Sequence, residues 1–119
     1  MKLEDLEIYR IATEVSKEAW EEYEKMGWQT KKIIGDQFIS AIDSIGANIA
    51  EGYGRYHFHD KNKFYYNARG SLFESLHWLK ILALRGIVDV KKGEILRKKL
   101  EKLCVKLNNY IASTRRQTD

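Results

Sequence analysis

The sequence contains no proline and only one cysteine among its 119 residues. Because proline interrupts helices, its absence permits long helices and argues against a turn-rich β fold. The single cysteine, Cys104, allows no internal disulfide, and we interpret it as a small buried hydrophobic residue rather than a nucleophile. No apolar run approaches the roughly 20 residues that a membrane-spanning helix needs, so we predict no membrane partner.

A recognisable catalytic or cofactor-binding constellation is also missing. The sequence contains no Ser-His-Asp or Cys-His set that the predicted topology would clearly bring together. Gly52 and Gly54 follow a predicted helix instead of the strand that a dinucleotide site requires, so they indicate a chain reversal. We therefore predict a protein that is not an enzyme and that carries no cofactor.

Metal-ligand patterns are sparse as well. Glu74 and His77 have the Glu-x-x-His spacing of di-iron bundles, but such sites need two of these motifs and further glutamates. His57, His59 and Asp60 fall in a predicted connection, where a solvated turn is the simpler interpretation. We predict no metal site.

Charge is distributed unevenly along the chain. Residues 1–60 contain 7 basic and 12 acidic side chains, whereas residues 61–119 contain 14 and 5. This asymmetry indicates either an anionic partner or docking between copies of the chain. The acidic N-terminal segment lacks the basic flank and apolar region of a secretory signal, so we expect a cytoplasmic protein.

Four segments, 4–26, 31–52, 60–85 and 90–114, have the three- and four-residue apolar spacing of amphipathic helices. Glycines separate them, and Thr30, Asp60 and Asp89 are predicted N-caps. Short connections force antiparallel neighbours, which predicts an all-α, antiparallel up-down-up-down four-helix bundle with a single domain over residues 1–119. The residues predicted to face the core are Ile8, Ile11, Ala12, Val15, Ala19, Tyr23, Met26, Ile34, Phe38, Ala41, Ile42, Ile45, Ile49, Phe64, Ala68, Leu72, Leu76, Leu79, Ala83, Leu96, Leu100, Leu103, Leu107 and Tyr110.

Polar residues also recur at helical spacing beside the apolar stripes of the second and third helices. In an antiparallel hairpin, Ser44 would lie opposite Ser71, and Asn48 would lie opposite Asn67. Such a network is stable only if its members satisfy one another, so it can fix helix register as readily as form a site. We favour the structural role for this polar seam, which comprises Ser44, Asn48, Glu51, Arg55, Asn67, Arg69, Ser71 and Glu74.

The seam also carries a family resemblance. The pattern Ser44-Ile45-x-x-Asn48-Ile49-Ala50-Glu51-Gly52-x-Gly54-Arg55, followed by Phe64 and Ala68-Arg69-Gly70-Ser71-Leu72-x-Glu74, resembles the bacterial proteins encoded in intervening sequences of 23S ribosomal RNA genes. The resemblance covers nearly the whole chain. It implies a four-helix bundle and a homopentamer, and the family is similar to basic accessory proteins of diversity-generating retroelements that engage nucleic acid.

The last helix supplies the remaining functional candidates. Its lysines fall away from the leucine stripe when about 100° is allotted per residue. The simple interpretation is a solvated face, and the more specific one is a phosphate-binding surface. We predict an oligomer that binds nucleic acid, RNA before DNA; the alternative is a structural or adaptor module that binds another protein. The predicted nucleic-acid-binding residues are Lys91, Lys98, Lys99, Lys102, Lys106, Arg115 and Arg116.

Overall fold

The computed structural model describes residues 1–117, and four long helices account for most of them. Helix α1 spans Glu7–Glu24 after a 3-10 turn at Leu3–Asp5. Helix α2 is a continuous rod that consists of Trp28–Thr30, a π-helical turn at Lys31–Gly35, and Asp36–Tyr53. Helices α3 and α4 span Phe58–Leu84 and Val90–Arg115. The described residues contain no strand, and the predicted all-α fold is confirmed.

The helices form an antiparallel bundle with principal extents of 48 × 23 × 21 Å. Helix α1 packs against α2 and α4, and α3 packs against the same two helices. Short connections impose this up-down-up-down order. Within residues 1–117, no helix combines the length and hydropathy needed to cross a membrane.

Helix ends follow the predicted signals only in part. Asp89 caps α4 as predicted, because its carboxylate accepts hydrogen bonds from the backbone N–H groups of Lys91 and Lys92 at 3.1 and 3.3 Å. Gly86, at φ 68°, ends α3 as predicted. The N–H groups of Gly86 and Ile87 then bond back to the carbonyls of Ala83 and Leu82, which gives a Schellman motif.

The other two predicted caps are wrong. Thr30 lies inside α2, because Gly27 is extended and its carbonyl already accepts the first helical bond, from the Lys31 N–H at 2.9 Å. Asp60 lies in the first turn of α3, since the helix begins at Phe58, after an extended His57. An acidic residue at this position still complements the positive end of the helix dipole.

The predicted stripes of α1, α2 and α4 are buried almost throughout, although Tyr23 and Tyr110 are half-buried and Ile111 joins the core. The α3 stripe needs correction at both ends and at Leu76. Phe64 and Leu76 are half-buried and Ala83 is exposed, whereas Tyr65 and Leu82 are fully buried. Cys104 is half-buried and packs against the core edge.

Candidate nucleic-acid interface

The predicted basic residues of α4 lie on different sides of the helix. Lys99 and Lys106 face α1, where they meet its acidic side chains. The Lys99 ammonium lies 2.6 Å from a Glu14 carboxylate oxygen and 2.8 Å from one of Glu18. The Lys106 ammonium lies 3.0 Å from a Glu7 carboxylate oxygen. These two lysines therefore hold α4 to α1 and are already neutralised within the chain.

The ion pairs also shift the ionisation of their members. A hydrogen bond from Lys99 lowers the pKa of Glu14, and one from Lys106 lowers the pKa of Glu7. Hydrogen bonds to Glu14 and Glu18 raise the pKa of Lys99 in turn. Each shift favours the charged form because the opposite charge is close.

The remaining predicted lysines, Lys91, Lys98 and Lys102, are exposed. At about 100° per residue they share one outer face of α4 with Arg116, opposite the leucine stripe. Within the described chain, none of these four residues forms an ion pair. We call this row the outer basic stripe. Arg115 is exposed as well, but it lies toward α3.

The polar seam is only partly assembled. The hydroxyl oxygens of Ser44 and Ser71 lie 2.9 Å apart between α2 and α3, as predicted. Asn48 does not pair with Asn67; its amide instead donates to the Ser44 carbonyl and hydroxyl oxygens on its own helix, at 2.9 and 3.0 Å. Ser75, which the prediction omitted, is fully buried, and its hydroxyl donates to the Ser71 carbonyl at 2.8 Å.

The outer members of the seam are exposed and pair locally. The Arg55 guanidinium lies 2.6 Å from a Glu51 carboxylate oxygen. The same group lies over the Phe64 ring, 4.6 Å from the centroid. Glu74 accepts a hydrogen bond from the Trp78 indole at 3.0 Å. Asn67 is exposed. The centre of the seam therefore links α2 to α3 by a hydrogen bond, and Arg55 links the end of α2 to α3 through its contact with the Phe64 ring.

Arg69 links a different pair of helices. Its guanidinium donates to the Asn108 side-chain oxygen of α4 at 3.0 Å. The same group lies over the Tyr66 ring, 4.9 Å from its centroid. Arg69 thus fixes an exposed aromatic ring beside the end of α4. The sequence spacing alone did not indicate this arrangement.

Packing explains one glycine of the motif, Gly52. A Cβ atom on Gly52 would lie 2.6 Å from a Tyr65 ring carbon and 2.9 Å from the Lys61 carbonyl oxygen. Lys61 also donates from its ammonium to the Tyr53 carbonyl at 2.9 Å and so satisfies the end of α2. The glycine permits the close approach of α2 and α3 at their connection.

Sequence and structure comparisons identify the family of this bundle. The model of the 23S rRNA-intervening sequence protein family matches residues 4–109. The chain belongs to this family. The solved structures that it resembles include a protein of unknown function from the S23 ribosomal protein family of Bacteroides thetaiotaomicron. That match has a TM-score of 0.82 and 19% identity, and it covers 87% of this chain and 97% of the other. No curated protein matches.

Membership in the 23S rRNA-intervening sequence protein family confirms the resemblance carried by the seam motif. The motif residues with the clearest structural roles are Ser44, Gly52 and Ser71, which determine how α2 and α3 pack. The matched range ends at residue 109 and so includes Lys91, Lys98 and Lys102 but excludes Arg115 and Arg116.

The structure also locates the predicted metal-ligand candidates. His77 is exposed and contacts the neighbouring Trp78 ring edge-on, with the ring centroids 4.8 Å apart. His59 lies at the start of α3, where it lines a cleft with Lys63 and Arg115. Residues 1–117 hold no group of three or more His, Cys, Asp or Glu side chains placed to bind a metal ion.

Proposed function

We propose that this family member is a non-enzymatic bundle that binds nucleic acid in the cytoplasm, with RNA as the favoured partner over DNA. The observation that carries the proposal is the outer basic stripe: Lys91, Lys98 and Lys102 are exposed and form no direct ion pair within the described residues. Phosphates are the natural ligands for such a row, since each contact releases counterions from the nucleic acid. The excess of basic residues in the second half of the chain supports the same partner class.

The internal ion pairs narrow the set of phosphate-binding residues. Lys99 and Lys106 are held by three glutamates of α1, so we assign them to the bundle and not to the nucleic acid. Reversing the charge of Lys106 would place two carboxylates together and disturb the fold. It is therefore unsuitable for a binding test.

We further propose that several copies associate into a closed homo-oligomer, a pentamer by family resemblance. The charge asymmetry left docking between copies open, with acidic α1 against basic α4, but these two helices face each other within one chain. Apolar side chains on α3 and α4 now give the better support. Phe73, Leu84 and Val90 are 55%, 72% and 75% exposed, and exposed apolar surface commonly marks an interaction site.

The binding test is a charge reversal with a matched control. We expect Lys91→Glu, Lys98→Glu and Lys102→Glu together to abolish a complex that the parent forms with RNA at low salt. The control carries Lys17→Glu, Lys32→Glu and Lys80→Glu, which change the net charge equally on exposed residues of the other helices. A gel-shift titration compares the three proteins, and circular dichroism checks that each is folded.

The outcomes separate two classes of function. Loss of binding only in the α4 variant supports the nucleic-acid interface, whereas equal loss in both variants indicates an unlocalised charge effect. If the parent forms no complex with single- or double-stranded RNA or DNA, the proposal is wrong. The alternative is a structural or adaptor module that binds another protein.

A further inference from the structure

A second surface with nucleic-acid-binding chemistry lies at the end of the bundle where α3 begins and α4 ends. It is an open cleft of about 560 Å³, within the size range of ligand pockets. Helix α3 contributes His59, Asn62, Lys63 and Tyr66 to its lining, and α4 contributes Thr114 and Arg115. The outer basic stripe does not include any of these residues.

The cleft is suited to an anion. His59, Lys63 and Arg115 are exposed, and no described residue that lines the cleft is acidic. Two of these groups are permanently charged near neutral pH, and arginine can hold a phosphate through two parallel hydrogen bonds. The lining therefore provides a phosphate contact on each of the two helices.

An aromatic ring adjoins these charges. Tyr66 is 38% exposed, and Arg69 lies over its ring while bonded to Asn108. The neighbouring helix thus restrains the ring before any ligand arrives. An exposed, restrained aromatic beside cationic groups is the arrangement that binds unpaired bases, because every base has a face that can stack.

The cleft also contains a buried polar group with an unused acceptor. Asn62 is only 7% exposed. Its amide nitrogen donates to the Ile111 carbonyl at 3.4 Å, whereas its side-chain oxygen has no partner within the described residues. Buried acceptors are normally satisfied, and leaving one unpaired is costly. This oxygen is itself inaccessible to solvent, so a donor from a bound ligand reaches it when the Asn62 side chain turns toward the cleft, and the exocyclic amines of unpaired bases are such donors.

We propose that this cleft binds one unpaired nucleotide of a single-stranded RNA segment. The base stacks on Tyr66 and donates to the Asn62 side-chain oxygen, and the phosphate lies against Lys63 and Arg115. This inference rests on the proposed nucleic-acid function and specifies its substrate. The outer basic stripe would contact any strand, whereas the cleft requires a base that is not paired.

The test compares Tyr66→Ala with Trp20→Ala, a change of an exposed aromatic on α1 that lies outside the cleft and outside the proposed oligomer contact. Fluorescence anisotropy measures binding of a labelled single-stranded RNA and of a fully paired duplex. We expect Tyr66→Ala to weaken single-strand binding at least about five-fold, the loss of one stacked base. Binding of the duplex should be unchanged, Trp20→Ala should behave as the parent, and Tyr66→Trp should retain affinity.

Two further arms identify the ligand. Photocrosslinking to the single strand should label peptide 64–69, which contains Tyr66 between two tryptic sites. A titration with adenosine monophosphate tests a free nucleotide as the ligand. If the mononucleotide binds in a Tyr66-dependent manner while the strand does not, the substrate is a free nucleotide and the inference is wrong.

The remaining outcomes distinguish this inference from the function on which it rests. If the parent binds RNA and Tyr66→Ala binds the single strand as tightly as Trp20→Ala does, the cleft assignment fails and the stripe stands. If Tyr66→Ala weakens duplex and single strand equally, the cleft does not select an unpaired base. If the parent binds DNA but neither RNA, the cleft inference is wrong and the nucleic-acid function stands. If the parent binds no RNA and no DNA, both are wrong.

Discussion

At the residue scale, Gly52 is the position where the fold has least room. Its missing side chain lets the Tyr65 ring and the Lys61 carbonyl approach α2. We expect Gly52→Ala to lower the free energy of unfolding by about 1–3 kcal/mol through overpacking. Urea denaturation measures the change.

Gly70 provides the matched control for this substitution. It is exposed on α3, and nothing lies within 4 Å of an added Cβ atom. Gly70→Ala should therefore stabilise the bundle by about 0.5–1 kcal/mol, since alanine is the better helix former. Equal effects of the two substitutions would contradict the packing role assigned to Gly52.

The Ser44–Ser71 contact gives a second residue-scale prediction. Each hydroxyl is the other's partner across α2 and α3. Ser44→Ala or Ser71→Ala alone should cost about 0.5–1.5 kcal/mol, and the double variant should cost less than the sum. Additive losses in a double-mutant cycle would mean that the two hydroxyls do not interact.

At the element scale, the sequence predicted which segments are helical, but it predicted only in part which side of each helix faces the core. The predicted α3 stripe advances mostly by four residues and so rotates away from the core along a long helix. The buried residues Tyr65, Ala68, Leu72, Ser75, Leu79 and Leu82 alternate steps of three and four. The sequence did not reveal this spacing because one of the buried positions is the polar Ser75. A search for apolar residues does not find a serine that is buried because its hydroxyl bonds to its own helix.

The salt bridges between α1 and α4 give the element-scale prediction. Because Lys99 lowers the pKa of Glu14 in the folded state, this pair stabilises the fold above the unfolded pKa near 4.5. The contribution is lost as the pH falls through the lower folded pKa. We expect Lys99→Met to reduce the drop in melting temperature between about pH 6 and about pH 3.

Lys91→Met is the control for this pH dependence. It removes the same charge from an exposed residue of the same helix that forms no ion pair within residues 1–117. Its melting temperature should respond to acid as the parent's does. An unchanged acid response in Lys99→Met would show that these ion pairs contribute no measurable stability, as is common for exposed pairs.

At the scale of the whole molecule, the candidate sites depended on contacts that spacing could not reveal. Periodicity placed Lys98, Lys99 and Lys102 on one polar side of α4. Periodicity could not show that Lys99, unlike the other two, is bound within the chain. Its ammonium contacts Glu14 and Glu18 of α1, more than 80 residues earlier in the sequence. The cleft could not be predicted from the sequence either, because its lining residues come from the first turns of α3 and the last turn of α4, which are far apart in the chain.

Self-association is the first whole-molecule prediction. We expect light scattering to give about five times the 14.0 kDa chain mass for the parent. Leu84→Glu with Val90→Glu should reduce this to the monomer, because charges would enter an apolar contact. Trp28→Glu with Ile33→Glu is the control, since it changes exposed apolar residues at the start of α2. A parent that is monomeric at micromolar concentration would reject the oligomer.

The oligomer and the outer basic stripe together predict how RNA binding responds to salt. One chain offers four cationic groups on this stripe, the three lysines and Arg116, and four phosphate contacts on a single strand give a slope of log affinity against log salt of about −3. Several copies that contact one strand should give a steeper slope and tighter binding, because later contacts form at high effective concentration. Anisotropy titrations of the Leu84→Glu and Val90→Glu variant should therefore show weaker binding and a slope near that of one stripe. If this variant is monomeric and yet binds with the parent's affinity and slope, a single bundle accounts for RNA binding and the ring contributes nothing to it.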